Sequence, residues 1–475
     1  MPVRAPQLPA DLPWLNTPAP VSLADLRDRF VLLDFWTYGC INCLNLLPTL
    51  KLIEQKYAAQ LTVIGVHTGK FAAEQQPENI RSALLKYGIG HPVIVDRDRA
   101  IWQAYAIRAW PTLVLINPQG YIVEQIVGER DRDWLERTVG RHLPTASSQP
   151  LAAAVSELST PLAFPTGLAI DHANRRLFIA DTGHHRIVVT SLSGQLQTII
   201  GSDSAGLQDG GFTDSQFQRP QGLAWDGERL YIADTGNHCV RAADFLTGQV
   251  STVAGSGQQS RTLFPHCGIG SALPLNAPWG LALVDCYLYI SMAGAHQIWR
   301  LNRQTQQLET YLGTGAEGCV DGPAAAAAFA QPSGLATDGK RLYVADSETS
   351  CIRQIELSEA PTVRTLCGSG ALFDYGDRDG VGEAVRLQHP LDVAIAPDGC
   401  LWIADTYNHK LKRLNLATKY CETVLIDLFE PAGLSSTDSA CYIANANKHA
   451  IIQYDFGLQQ SRRLKLQTVC TIESC

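Results

Sequence analysis

"FVLLDFWTYGCINCLNLLPTL", residues 30–50, decides how the first third of the chain is read. Its opening run, Phe30 to Phe35, is apolar and short, which suits a buried strand better than a helix. Leu44, Leu47, Leu50, Leu52, Ile53 and Tyr57 then recur at three- and four-residue steps, the spacing of an amphipathic helix. Cys40 and Cys43 fall at the junction. The backbone N–H groups of a first helical turn lack partners and favour an anion, and a thiolate is the anion supplied. This placement predicts Cys40 as a nucleophile and Cys43, one turn on, as a more buried thiol that acts second. A C-x-x-C pair is also half of a zinc site, but no second Cys/His pair at ligand spacing lies nearby. An inert fold that has lost its chemistry is the other bland alternative.

Outward from the cysteines, LTVIGV (61–66) and HPVIV (91–95) are β-rich, with the helical stretch ENIRSALLKYG between them. TLVLI (112–116) and YIVEQIV (121–127) flank Asn117-Pro118-Gln119-Gly120, a hairpin signal, and DRDWLERTVGRHL closes the segment as a helix. Strands alternating with helices predict a mixed α/β sheet.

This segment resembles a thioredoxin-like domain. Asp34, six residues before Cys40, stands where that family keeps a buried carboxylate that takes the proton of the second cysteine. Trp36 matches the tryptophan at the strand end, and Pro48 the proline of the active-site helix. Pro111, in Ala109-Trp110-Pro111-Thr112, matches the cis-proline that faces the cysteines. The resemblance implies that Cys40, Cys43, Asp34 and Pro111 are catalytic. It also implies that Trp36 and the Trp110 backbone contact substrate, the latter by pairing with an extended segment. Ile41-Asn42 replaces the Gly-Pro of thioredoxin itself, which leaves the direction of electron flow open. A peroxidatic reading would rest on Thr37, but Leu33 stands where its pattern wants proline.

A chain of 475 residues is too long for one core, so at least two domains are expected. The net charge of −8 disfavours nucleic-acid and anionic-membrane partners, which need clustered Lys and Arg. No apolar run reaches 18 residues, so no membrane span is expected. The proline-broken start, MPVRAPQLPADLPWLNTPAP, has no apolar core of a secretory signal, and the expected compartment is the cytoplasm. There most of the 13 cysteines should be free thiols.

After a Pro-, Ser- and Ala-rich linker, the chain repeats itself. Six copies of one plan begin at Phe164, Arg219, Ala277, Gln331, His389 and Glu430. Each has a Pro-x-Gly-type turn, a short strand such as GLAID, a strand such as RLYIAD, a tight turn and two more strands. Four antiparallel strands make a blade, and blades packed radially bury one another's faces. The copies resemble the NHL repeat, which implies a six-bladed propeller. The expected organisation is a thioredoxin-like domain over 1–145, a linker over 146–160 and an all-β propeller over 161–475.

The turn between the second and third strands begins with Asp181, Asp234, Asp346 and Asp405 in four copies, and with Met292 and Asn445 in two. Four residues on stand His185, His238, His296, His409 and His449, with Ser350 in the fourth copy. Such a ring suggests metal. However, sites related by rotation lie too far apart to share an ion, and caps that bond the backbone are the expected role. No metal and no cofactor are expected. The segments 207–220, 267–278, 319–332 and 377–390 are insertions between copies, read either as binding loops or as covers for blade edges. Cys239, Cys351 and Cys441 are expected to be small buried hydrophobes. Cys470 and Cys475 lie near an end and are expected to be passive.

Taken whole, the chain resembles the animal NHL-repeat-containing thioredoxin-like proteins and the lumenal part of the chloroplast suppressor-of-quenching protein. Those relatives often carry Cys-Cys-Ile-Asn-Cys; here Gly39 replaces the first cysteine. The expected function is a thiol–disulfide oxidoreductase acting on a protein disulfide or dithiol partner and recharged by an upstream dithiol reductant. The propeller would choose the partner. The alternative is a non-catalytic scaffold or redox sensor in which the propeller binds a protein.

Overall fold

The structure is a computed structural model, and it describes residues 3–143, 160–262 and 266–467. Most of the expected linker, together with Cys470 and Cys475, lies outside the described residues. The chain divides into two compact units, Met1–Leu158 and Ser159–Cys475.

In the first unit the strands are β1 (Val3–Arg4), β2 (Trp14–Leu15), β3 (Phe30–Trp36), β4 (Leu61–His67), β5 (Val93–Val95), β6 (Thr112–Ile116) and β7 (Tyr121–Val127). They form one sheet in the order β1-β7-β6-β3-β4-β5-β2. The central strand β3 runs parallel to β4, with Asp34 opposite Gly65, and antiparallel to β6, with Phe35 opposite Thr112. Helices cover both faces of such a strand, so β3 is a nearly continuous apolar run in which Asp34 is the exception. The helices are α1 (Ile41–Lys56), α2 (Pro77–Tyr87), α3 (Ala100–Ala104) and α4 (Arg132–Gly140). Helix α1 buries Leu44, Leu46, Leu47, Leu50 and Ile53. Pro48 lies inside it and is exposed, depriving Leu44 of its usual backbone donor.

The second unit is a closed ring of six antiparallel sheets. The first strands of successive blades touch, and Pro431–Ser436 of blade 6 touches Pro165–Asp171 of blade 1. The glycines of the Pro-x-Gly turns are demanded by this approach. A Cβ on Gly433 would sit 1.9 Å from the Thr166 carbonyl oxygen, and one on Gly167 would sit 2.1 Å from that of Gln221. Asp392 replaces this glycine in blade 5, and its carboxylate accepts the Leu434 N–H at 2.7 Å.

The histidine ring joins blade to blade. His185, His238, His296, His409 and His449, with Ser350, all adopt left-handed backbone with φ of 50–58°. Nδ1 of each histidine accepts a backbone N–H at the entry to the next blade. The pairs are Arg219 to His185 at 3.1 Å, Ala277 to His238 at 3.0 Å, Gln331 to His296 at 3.0 Å, Glu430 to His409 at 3.1 Å and Phe164 to His449 at 3.1 Å. The hydroxyl of Ser350 does the same for His389 at 3.1 Å. The turn-opening Asp and Asn side chains hold their own blade: Asp234 accepts the Gln218 N–H at 2.7 Å, and the amide oxygen of Asn445 that of Phe429 at 2.6 Å. These are backbone staples.

The insertions cover edges. Gly210–Gly211, Cys267–Ile269, Gly322–Pro323 and Gly380–Val381 each pair with the fourth strand of the following blade, making blades 2 to 5 five-stranded. In blade 2, buried Arg241 fixes the insertion through Asp209 at 2.6 Å while also meeting Asp234 at 3.0 Å. Arg353 with Asp321 and Asp346 repeats this in blade 4, and Lys412 with Asp379 repeats it in blade 5. At blade 1 the closing chain does the same work, with Leu196 donating to the Gln467 carbonyl at 2.9 Å.

Candidate functional site

Cys40 is the N-cap of α1, with extended backbone, and is partly exposed. Its sulfur accepts the Cys43 N–H at 3.3 Å, and its carbonyl accepts the N–H groups of Cys43 and Leu44 at 3.0 and 3.1 Å. An N-cap normally supplies an oxygen to these orphan donors; here sulfur takes that place. Cys43 is 2 % exposed, and both cysteines are free thiols. Burial, then the hydrogen bond and charge of Cys40, push the Cys43 thiol well up, and the charge of Asp34 adds to the rise.

Asp34, in mid-β3, is buried, and its Oδ1 has no hydrogen-bond partner among the described residues. Burial raises its carboxyl to about 7, opposed by the charge of His91. Its cross-strand neighbour is Gly65, where a Cβ would meet Val93 Cγ2 at 2.9 Å and Trp36 Nε1 at 3.0 Å. Glycine here lets the Val93 and Trp36 side chains pack against the strand beside Asp34.

The Trp110–Pro111 peptide is cis. Thr112 opposite Phe35 puts Pro111 at the end of the sheet from which the chain leaves towards Cys40. Pro111 is buried, and Trp110 is half-buried against Trp102, with ring centroids 4.5 Å apart. Arg99 lies 5.5 Å from the Trp110 ring centre, and the indole N–H has no hydrogen-bond partner among the described residues.

Trp36 departs from expectation. It is fully buried, edge-on to His67 at 5.0 Å, so it supports the site from beneath and offers no face to a substrate. His67 in turn stacks on Tyr38 at 5.6 Å, and burial lowers its imidazole to about 3, a neutral ring.

One residue escaped sequence reasoning. Glu74, in the short 3₁₀ turn Ala73–Gln75, has no exposure. Its Oε1 accepts the Gly39 N–H at 2.9 Å, and its Oε2 accepts those of Lys70 and Phe71 at 2.7 and 3.0 Å. The sequence around it, FAAEQQP, carries no local sign that this acid turns inward.

Together these features define a thioredoxin-like domain presenting a Cys-x-x-Cys dithiol, joined to a six-bladed NHL propeller. The sequence matches the Thioredoxin-like family over residues 28–122 and the NHL repeat over 162–189, 217–242, 329–355 and 387–414. It is 38% identical over 94% of its length to NHL repeat-containing protein 2 of Bos taurus, covering 69% of that protein. The chain belongs to the NHL repeat-containing protein 2 family.

It is also 40% identical over 94% of its length to the Arabidopsis thaliana protein SUPPRESSOR OF QUENCHING 1, chloroplastic, and spans 46% of that protein's length. This corrects the cytoplasmic expectation: a relative this similar is chloroplastic by name, so composition and free thiols do not assign the chain to the cytoplasm. Over 24% of its length the chain is 30% identical to thiol-disulfide oxidoreductase ResA of Bacillus thuringiensis. No helix among the described residues is long and apolar enough to cross a membrane.

Proposed function

We propose that this chain is a thiol–disulfide oxidoreductase whose propeller serves as the partner-binding module. The observation that carries the reading is the asymmetry of the pair. Cys40 is partly exposed at a helix N-terminus, while Cys43 is buried and held protonated beside the carboxyl of Asp34.

In this reading the Cys40 thiolate attacks one sulfur of a partner disulfide. A mixed disulfide forms, and the partner's other sulfur leaves as a thiolate that takes a proton from water. Asp34, as carboxylate, accepts the proton of Cys43. The Cys43 sulfur then attacks Cys40 Sγ and expels the partner's second thiol. Two electrons have passed to the partner, and Cys40–Cys43 is left as a disulfide, which an upstream dithiol reductant returns to the start. Pro111 and the backbone of Trp110, at the same end of the sheet, seat the partner's extended segment.

The test is trapping. Cys43→Ser in the full chain is expected to accumulate covalent partners that dithiothreitol releases and that Cys40→Ser abolishes. If Cys43→Ser gives no adducts, and Cys40→Ser captures the same partners as the wild type, the chain is a scaffold.

A further inference from the structure

Blade 4 carries a second pair of thiols. The sulfurs of Cys319 and Cys351 lie 3.8 Å apart. Cys319 sits in the insertion before the blade, two residues ahead of Asp321, and is partly exposed. Cys351 opens the third strand, Cys351–Glu356, and is fully buried. Hydroxyls flank both: Thr365 Oγ1 is 3.6 Å from the Cys319 sulfur, and Thr349 Oγ1 is 3.3 Å from that of Cys351.

The repeat gives this contact a meaning. At the same two positions blade 5 has Asp377 and Lys410, which form an ion pair, and blade 2 has Leu207 and Cys239. The equivalence is spatial as well. A Cβ on Gly257 would sit 2.5 Å from Leu207 Cδ2, and one on Gly370 would sit 2.5 Å from Cys319 Sγ. This is where an insertion is fastened to the third strand of its blade. Blade 5 fastens it by charge, and blade 4 places two thiols there.

We infer that Cys319 and Cys351 form a second redox pair, a reversible disulfide that locks the insertion onto blade 4 when a disulfide-class oxidant reaches it. A disulfide needs the sulfurs at about 2.05 Å, so they must close by roughly half their present separation, with the partly exposed insertion residue doing the moving.

The surroundings set the order of events. The hydrogen bond to Cys351, then the Arg353 guanidinium and the Thr365 hydroxyl, bring Cys319 down to about 6 against its burial, while burial pushes Cys351 well up. The Cys319 thiolate attacks one sulfur of the oxidant, and the other sulfur leaves as a thiolate. Cys351 gives its proton to water and attacks Cys319 Sγ, expelling the second thiol. Two protein thiols are oxidised, and one disulfide is reduced to two thiols.

A metal does not fit. Ligand atoms of Cys319, Asp346 and Cys351 lie within 4.8 Å of one another. However, Asp346 Oδ1 is committed to the Ala330 N–H at 2.7 Å, and Oδ2 to Arg353 at 2.9 Å. Two sulfurs remain, short of the four donors that zinc takes.

The experiment uses the full chain with Cys40→Ser and Cys43→Ser, which removes the first dithiol from the count. It is incubated with oxidised glutathione, alkylated and digested without reduction. The peptides bearing Cys319 and Cys351 are expected as one linked species, with loss of two alkylatable thiols, reversed by dithiothreitol. Adding Cys351→Ser should leave glutathione on Cys319. Adding Cys319→Ser, at the partly exposed position, should abolish the linked species in a folded chain. Separate, fully alkylated Cys319 and Cys351 peptides after oxidation would overturn the inference. So would glutathione retained on Cys319 with Cys351 intact, or one zinc ion bound per chain through the two thiols.

Discussion

Glu74 Oε1 accepts the backbone N–H of Gly39 at 2.9 Å, and Gly39 is the residue before Cys40. The other oxygen of the same buried carboxylate accepts two N–H groups from the turn after β4. One side chain thus ties the cysteine loop to that turn. Glu74→Gln keeps the shape but turns an acceptor into a donor facing N–H groups. It is expected to cost about 2–4 kcal/mol in urea unfolding and to change the alkylation rate of Cys40. An unchanged midpoint and rate would show that the clamp does not act.

Asp34 gives a pH dependence of definite sign. Its folded value of about 7 exceeds the ordinary 3.8, so the folded state holds the proton more tightly. Its contribution to stability is full below about pH 4 and is lost as pH rises through about 7. Asp34→Asn is expected to be more stable than the wild type at pH 8 by on the order of 3–4 kcal/mol, with the difference vanishing towards pH 4. In the proposed redox step Asp34 acts as the carboxylate that accepts the Cys43 proton. The rate at which Cys43 resolves a mixed disulfide should therefore rise through about pH 7 and lose that inflection in Asp34→Asn. Identical profiles in rapid-quench alkylation would exclude Asp34 as the proton acceptor.

The histidine staples work only while Nδ1 is unprotonated. Burial, aided by the charges of Arg219 and Arg261, holds His238 down at about 4, so its contribution is present above about 6.5 and is lost as pH falls through about 4. His238→Ala orphans the Ala277 N–H and should cost about 1–3 kcal/mol at pH 7. That cost should shrink as pH falls from 6.5 to 4. The mutant–wild-type difference is the quantity to follow, because burial raises Asp234 to about 6 and it titrates with the opposite sign in the same window. A cost that does not change with pH across this window would contradict a staple that depends on an unprotonated Nδ1.

Arg241 has no exposure and serves Asp209, Asp234 and the carbonyls of Gln208 and Gln216 at 2.6 to 3.1 Å. Arg241→Met leaves Asp234 buried without its cation. It is expected to cost about 3–5 kcal/mol and to expose 207–220 to limited proteolysis. Resistance of that segment would mean that its strand pairing alone suffices to hold it.

Much of this was legible because the signals are local. The apolar run of β3, the helical period after Cys43 and the proline at 111 are read within a few residues. The six copies announce themselves by self-similarity, and the histidine at five of the six tight turns was rightly assigned to backbone bonding. What it bonds was not legible, since the acceptor–donor pair His238 and Ala277 spans 39 residues. The same distance hides the pairing of Arg241 with Asp209, which resolves the insertions as edge covers. Glu74 was missed because nothing in its neighbours marks an acid as buried, and Trp36 was misread because position along a strand does not reveal which surface a ring meets. Compartment was misjudged from composition, which constrains solubility and partners but does not encode an address.

The central claim is that Cys40 and Cys43 interconvert between dithiol and disulfide. Equilibrating the Cys319→Ser, Cys351→Ser chain against graded ratios of reduced to oxidised glutathione, quenching in acid and counting alkylated Cys40 and Cys43 by mass spectrometry measures this directly. The two thiols should be lost together in one reversible two-electron transition, with mixed glutathione adducts on Cys40 when Cys43 is serine. A pair that stays reduced at every ratio, or that oxidises one cysteine independently of the other, would contradict it.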